Sequence, residues 1–229
     1  MAMGAVQTLA LETAEQIDLA QAARYFGQPD VPDGATLSLL ERCAVGIRAA
    51  AAPRAVWLAG DTADFAAEGL LQGQDIAAHL CGCDRAVLLA VTLGAGVDRQ
   101  IHLAGIGDIA AGVASDALAS ALAEQMADAA EKALRQWTAE QGRYLTFRFS
   151  PGYGDWPIAV QPLVAELLDA PRRIGLHVTD SCLLMPRKSV TALLGVSSQP
   201  VKGRLAGCGH CALRERCDYR KRGKSCADS

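Results

Sequence analysis

Residues 108–137 are rich in alanine, with Val113, Ala117, Ala121, Leu122, Met126 and Ala129 near helical spacing. That pattern predicts the longest helix of the chain, and its small side chains let neighbouring helices pack close. A second constraint is the apolar run AVLLAVTL at residues 86–93, whose length and β-branched content predict a buried strand. Around these two, helices are predicted at 11–26, 37–51 and 161–169, with a helical turn at 75–80. Strands are predicted at 54–59, 143–149 and 173–179, and residues 189–196 fit either state. Helices and strands mix without a strict βα alternation, so the expected class is α+β, with helices around a central sheet.

Composition bounds what such a chain can do. Of 229 residues 51% are hydrophobic and 21% charged, enough for a real core. No apolar run reaches the length of a membrane span, and the N-terminal stretch lacks the basic region of a signal peptide. The expected compartment is the cytosol, where cysteines serve as thiols or metal ligands rather than disulfides. The net charge of −3 conceals an asymmetry. Residues 202–229 hold eight basic and three acidic residues, so this tail carries +5 and the rest of the chain −8. The tail therefore reads as a separate appendage, with residues 1–200 as the main domain and 201–229 beyond it.

The tail also holds four cysteines, Cys208, Cys211, Cys217 and Cys226. A Gly-rich, basic segment cannot build a core, so order there needs a staple. A CxxC pair lets two thiolates reach one centre, and two further cysteines complete a tetrahedral set. Zinc and a [4Fe–4S] cluster both take four cysteines, and spacing does not separate them. Tyr219 is the tail's single aromatic, which argues against a nucleic-acid surface built on base stacking. Membrane partners are likewise not expected.

Other candidates are weaker. Gly94-Ala95-Gly96 follows a strand but lacks the third glycine of a dinucleotide fingerprint, because position 99 is Arg. It reads as a strand-ending turn. Cys43, Cys81, Cys83 and Cys182 read as buried structural thiols. His79, His102 and His177 are scattered and read as structural or surface residues.

Residues 148–157, RFSPGYGDWP, stand apart. Two glycines and two prolines within seven residues force a specific turn. Arg148 offers a planar fork for a carboxylate. Gly152 permits close backbone approach, and Tyr153 offers a flat face with a polar tip. This chemistry suits a zwitterionic, amino-acid-like ligand with an apolar part. It equally suits a structural turn whose arginine pairs with a nearby acid.

The pattern Arg-x-x-x-Gly-Tyr resembles the S-adenosylmethionine-binding turn of the activation domain of vitamin B12-dependent methionine synthase. IGLHVTDSCLLMPRKSV downstream and ALASALAEQMADAAEKALR upstream are similar to the same family. DIAAHL, the TLG step, RFSPGYGDWP and the PRKSV segment together look like stand-alone bacterial relatives of that domain. The resemblance implies an activation-domain fold with a largely antiparallel sheet. It implies a donor site lined by Arg148, Pro151, Gly152 and Tyr153, with Glu124 of the long helix contacting the ligand. It implies a corrinoid protein or methionine synthase modules as the partner that holds cobalamin, and a reductase as the electron source. In such a site no side chain need act as acid, base or nucleophile. Adjacent tyrosines near the end of the family's domain have no counterpart in GVSSQPVKG, and RYLTF lacks an acid that the family carries before the turn. Those departures imply an alternative, a redox or docking module that grasps a corrinoid protein without binding the donor.

Overall fold

The structure, a computed structural model, describes residues 3–28, 32–201 and 215. The chain order is β1 (Gln7–Leu9), α1 (Leu19–Tyr25), α2 (Gly34–Ala50), β2 (Arg54–Asp61), α3 (Thr62–Ala67), α4 (Gln74–His79), β3 (Arg85–Thr92), α5 (Ala95–Gly107) and α6 (Ile109–Ala139). It continues through β4 (Tyr144–Leu145), a 3-10 turn (Ile158–Val160), α7 (Gln161–Leu167), α8 (Ala170–Ile174), β5 (His177–Val178), β6 (Leu184–Met185) and β7 (Ser189–Ser197).

Five strands form one antiparallel sheet in the order β1-β2-β3-β7-β4, and β5 and β6 pair as a separate hairpin. β3 is central. Its run of apolar residues is explained by burial on both faces. Val87, Leu89 and Val91 join one core with Leu118, Leu122 and Met126 of α6, while Ala86, Leu88 and Ala90 join a second core with Phe65, Ile76, Trp156 and Val164. Alternate side chains of a strand point to opposite faces, so a strand covered on both sides must be apolar throughout. The molecule is therefore three layers, with α1, α2, α5 and α6 on one face of the sheet. The other face carries α3, α4, α7, α8 and the turn at 148–157. The α+β class and the antiparallel sheet hold as expected.

The long helix extends to 31 residues, from Ile109 to Ala139. Its N-terminus is capped by Asp108, whose Oδ1 accepts from the Ala110 amide at 2.9 Å. Along one side Asp116, Ser120, Glu124, Asp128, Glu131 and Arg135 recur at spacings of three and four residues, which places them on one helical face. That polar stripe receives the basic residues of the later chain. Lys188 Nζ reaches Asp116 Oδ2 at 3.0 Å and Ser120 Oγ at 2.9 Å, and Arg187 meets Asp116 at 3.3 Å.

Several boundaries differ from expectation. The helix predicted at 11–26 begins only at Leu19, because Asp18 Oδ1 caps it by accepting from the Gln21 amide at 2.9 Å. Residues 95–107 form a full helix where only a turn was foreseen. The strand predicted at 173–179 is mostly the helical turn α8, bounded by Asp169 and Gly175 in left-handed conformation, leaving two residues of strand. Residues 189–196, ambiguous in sequence, are strand. Cys81 is exposed rather than buried, since it leaves α4 at the turn of Gly82, while Cys43, Cys83 and Cys182 are half-buried. His79 is fully buried, as a structural histidine should be.

Candidate functional site

Residues 143–149 were expected as one strand, but only Tyr144 and Leu145 pair regularly with β7, and Phe149 returns as an isolated bridge to Leu193. Between them the Thr146 hydroxyl, not a carbonyl, accepts the Gly195 amide at 2.8 Å. This irregularity shifts the alternation by one residue. Leu145 faces the α6 side of the sheet and Phe149 the opposite side. Strict alternation would put both on one side. The extra residue turns Arg148 toward α6, the effect a bulge has on a strand. Arg135 of α6 clasps the irregular stretch, donating to the carbonyls of Leu145 at 2.6 Å and Thr146 at 3.2 Å.

Arg148 thereby lands on the acidic part of the α6 stripe. Its Nη2 donates to Asp128 Oδ1 at 2.8 Å and Glu124 Oε2 at 3.2 Å, and its Nη1 lies 3.6 Å from Glu131 Oε2. Nη1 is buried and makes no hydrogen bond among the described residues. A buried guanidinium nitrogen without a hydrogen bond is costly, and the Glu131 carboxylate at 3.6 Å offsets its charge. Burial pushes the Glu124 carboxyl above its ordinary value. Arg148 pulls it back, and Asp128 adds to the rise.

The turn itself is built by its own backbone and by α4. Gly152 adopts φ +91° and donates its amide to the Trp156 carbonyl at 2.8 Å. Pro151 is buried beneath the turn, whereas Tyr153 is exposed and meets Phe149 edge-on at 5.9 Å. Trp156 is fully buried and donates Nε1 to the Leu70 carbonyl at 2.9 Å. Asp155 caps α4 from a distance in sequence, accepting from the amides of Gln74 at 2.8 Å and Asp75 at 2.9 Å. Asp75 answers by accepting the Asp155 amide at 3.2 Å. This reciprocal clasp explains why DIAAHL and GYGDWP belong together. A Cβ on Gly154 would lie 2.1 Å from Asp75 Oδ2, and one on Gly73 2.5 Å from Asp155 Oδ1.

The structure thus brings Arg148 and Glu124 together beside the turn that carries Pro151, Gly152 and Tyr153. Asp128, Glu131 and Arg135 were missed, although i+4 and i+7 from Glu124 is a readable spacing. The reading of a turn whose arginine pairs with an acid is met, by acids of α6 rather than local ones. Clefts of about 460 Å³ beside Arg135, Tyr144 and Val201, and of about 570 Å³ between Asp18 and Arg48, are lined by none of Glu124, Arg148, Pro151, Gly152 and Tyr153. Gly94-Ala95-Gly96 opens α5, and a Cβ on Gly96 would stand 2.6 Å from the Ala50 carbonyl. The space a phosphate would need is filled by α2. Cys208, Cys211, Cys217 and Cys226 lie outside the described residues. Among the described residues no cluster of His, Cys, Asp or Glu could hold a metal ion, and no helix is long and apolar enough to cross a membrane.

The fold is shared with the crystal structure of the MetH reactivation domain bound to AdoHcy. The match has a TM-score of 0.63 and 17% identity, and covers 96% of this chain and 86% of that one. At that identity the likeness is one of fold. No curated protein sequence matches the chain. The profile described as "Vitamin B12 dependent methionine synthase, activation domain" matches residues 75–224, which include α6, the turn at 148–157 and β7. On that match the chain belongs to the activation-domain family of vitamin B12-dependent methionine synthase.

Proposed function

We propose that the chain is an accessory protein for the reductive reactivation of cobalamin held by a methionine synthase or related corrinoid protein. It binds S-adenosylmethionine and presents it as methyl donor. Family membership supports a role in methionine synthase reactivation. The observation that carries the donor site is the buried, unbonded Nη1 of Arg148 beside the Glu124 carboxylate. A zwitterionic amino-acid end needs an anion holder and a cation holder side by side, and these two residues supply both.

In this reading Arg148 receives the donor's carboxylate and Glu124 its positive end. Gly152 keeps the turn low against the ligand, Pro151 supports it from below, and Tyr153 packs over it. Cobalamin on the partner, reduced by one electron from a reductase, supplies the nucleophile that accepts the methyl group and leaves S-adenosylhomocysteine. The chain contributes binding and orientation, which convert an encounter into a positioned reaction. Residues 201–229 are the proposed metal-binding appendage, with Cys208, Cys211, Cys217 and Cys226 around zinc or a [4Fe–4S] cluster.

Calorimetric titration of the full chain with S-adenosylmethionine tests the site, alone and with a corrinoid partner. The wild type binds. Arg148→Lys keeps the charge but loses the fork, and weakens binding about tenfold or more. Absence of binding under both conditions overturns the donor site. A reconstituted reactivation assay in which Arg148→Ala is fully active points instead to a docking module that does not hold the donor.

A further inference from the structure

His79 is a wholly buried titratable side chain in the last turn of α4. Its ring touches Thr146, Phe147 and Phe149, the residues around Arg148. Nε2 is hydrogen-bonded with Thr146 Oγ1 at 3.0 Å. The ring centroid lies 5.0 Å from that of Phe147, edge-on at 70°, and 5.0 Å from that of Phe149, tilted at 34°. The same Thr146 oxygen accepts the Gly195 amide at 2.8 Å, so His79 holds the irregular stretch where it departs from β7. Either ring tautomer serves. With Nε2 bare, the hydroxyl donates to it. With Nε2–H, the ring donates and the hydroxyl turns to the Phe147 carbonyl at 3.1 Å.

Neighbouring side chains of an extended chain point to opposite sides. Phe147 and Phe149 both meet one ring, so Arg148 between them is sent to the other side, where Glu124, Asp128 and Glu131 receive it. The ring contacts run on, from Phe149 to Tyr153 at 5.9 Å and to Trp156 at 6.0 Å. The first turn of α4 is meanwhile clasped to Asp155 through Asp75. α4 therefore grips residues 146–156 with both of its ends. We infer that His79 is a positioning residue of the donor site. It fixes Thr146 and the Phe147–Phe149 pair, and so holds Arg148 and Tyr153 in place for the amino-acid end of the donor. This rests on the donor site proposed above. A site held in shape before the ligand arrives loses less freedom on binding.

The test is calorimetric titration of the full chain with S-adenosylmethionine, well below the thermal midpoint of each variant, so that folded protein is titrated. His79→Phe keeps a buried ring and loses the hydrogen bond. Thr146→Val keeps the shape and loses the hydroxyl. Each weakens binding about tenfold, and the two together weaken it little further, because both break one link. Thr146→Ser keeps the hydroxyl and most of the affinity. A ligand-free measure stands beside this. In denaturant unfolding, Arg148→Met costs less in the His79→Phe background than in wild type, by about threefold or more in the unfolding constant, because an arginine no longer held toward α6 has less to lose. Unchanged affinity in His79→Phe and Thr146→Val, with only the midpoint lowered, overturns the positioning role. An equal loss in Thr146→Ser, or strict additivity of His79→Phe with Arg148→Met, overturns it too. A wild type that does not bind the donor overturns the donor site instead, and the coupling between His79 and Arg148 then decides on its own whether His79 orients the arginine.

Discussion

Glu124 pays for its position with burial. Its carboxyl sits above the ordinary value of 4.5 because desolvation and Asp128 outweigh the attraction of Arg148. A raised carboxyl in the folded state binds its proton more tightly than the unfolded chain does. Below 4.5 the group is protonated in both states and costs nothing. As pH rises through 4.5 and past the raised folded value, the unfolded chain releases its proton first, and stability falls until the loss is complete. Glu124→Gln should therefore raise the thermal midpoint at about pH 7.5 and leave it unchanged at about pH 3.5. Thermal unfolding at the two pH values checks this, and a lowered midpoint at neutral pH would mean that the Arg148 pair dominates. If the proposed donor site holds, the same substitution weakens S-adenosylmethionine binding, and stability and donor binding are set against each other at one residue. The turn that carries Arg148 and Tyr153 was legible in the sequence as a turn because two glycines and two prolines punctuate it.

At the scale of elements, α4 and the turn at 148–157 behave as one unit through the Asp75–Asp155 clasp. Gly154, at φ +55°, has no space for a side chain beside Asp75. Gly154→Ala should destabilise the fold by about 1–3 kcal/mol, and Asp155→Ala by about 0.5–2 kcal/mol through the lost caps. Both break the same clasp, so the double variant should lose less than the sum of the two. Denaturant midpoints of the single and double variants measure this coupling, and strict additivity would show that the two residues act separately. The clasp also marks where sequence reading succeeds and stops. α2, β3, α6 and the turn announce themselves by periodicity, apolar length or punctuation. α5 is hidden by Gly94, Gly96, Gly105 and Gly107, glycines that suggest a loop. In the fold Gly96 instead fits beneath the Ala50 carbonyl, and Gly112 meets Gly105 at the α5–α6 contact. The phase shift between Leu145 and Arg148 is invisible in RYLTFRF, which alternates as a regular strand would. A hydroxyl of Thr146 substituting for a backbone acceptor decides the direction of Arg148, and that exchange depends on Gly195, far away in sequence.

For the whole molecule the uneven charge matters most. A body of −8 joins a tail of +5 that holds four of the eight cysteines. Lys and Arg near thiols favour the thiolate that binds metal, and they also offset the charge of a four-thiolate centre. The four cysteines outside the tail are free thiols at separate places, apart from the neighbours Cys81 and Cys83. Burial, followed by Asp84 and Cys81, pushes the Cys83 thiol up, making it a poor ligand beside an acidic neighbour. Metal should therefore follow the tail cysteines and not the body. Protein isolated without oxygen should contain either one zinc or iron with acid-labile sulfide. Cys208→Ser with Cys211→Ser should remove it, while Cys81→Ser with Cys83→Ser should not. Elemental analysis of the three proteins decides the matter, and metal-free wild type would remove the proposed centre. Donor titration of the same variants separates the two halves of the chain's proposed work. If the tail only delivers electrons or docks a partner, S-adenosylmethionine affinity is unchanged when its metal is lost. If affinity falls with the metal, the tail is part of the donor site, and methyl donor and electron enter through one assembly rather than two.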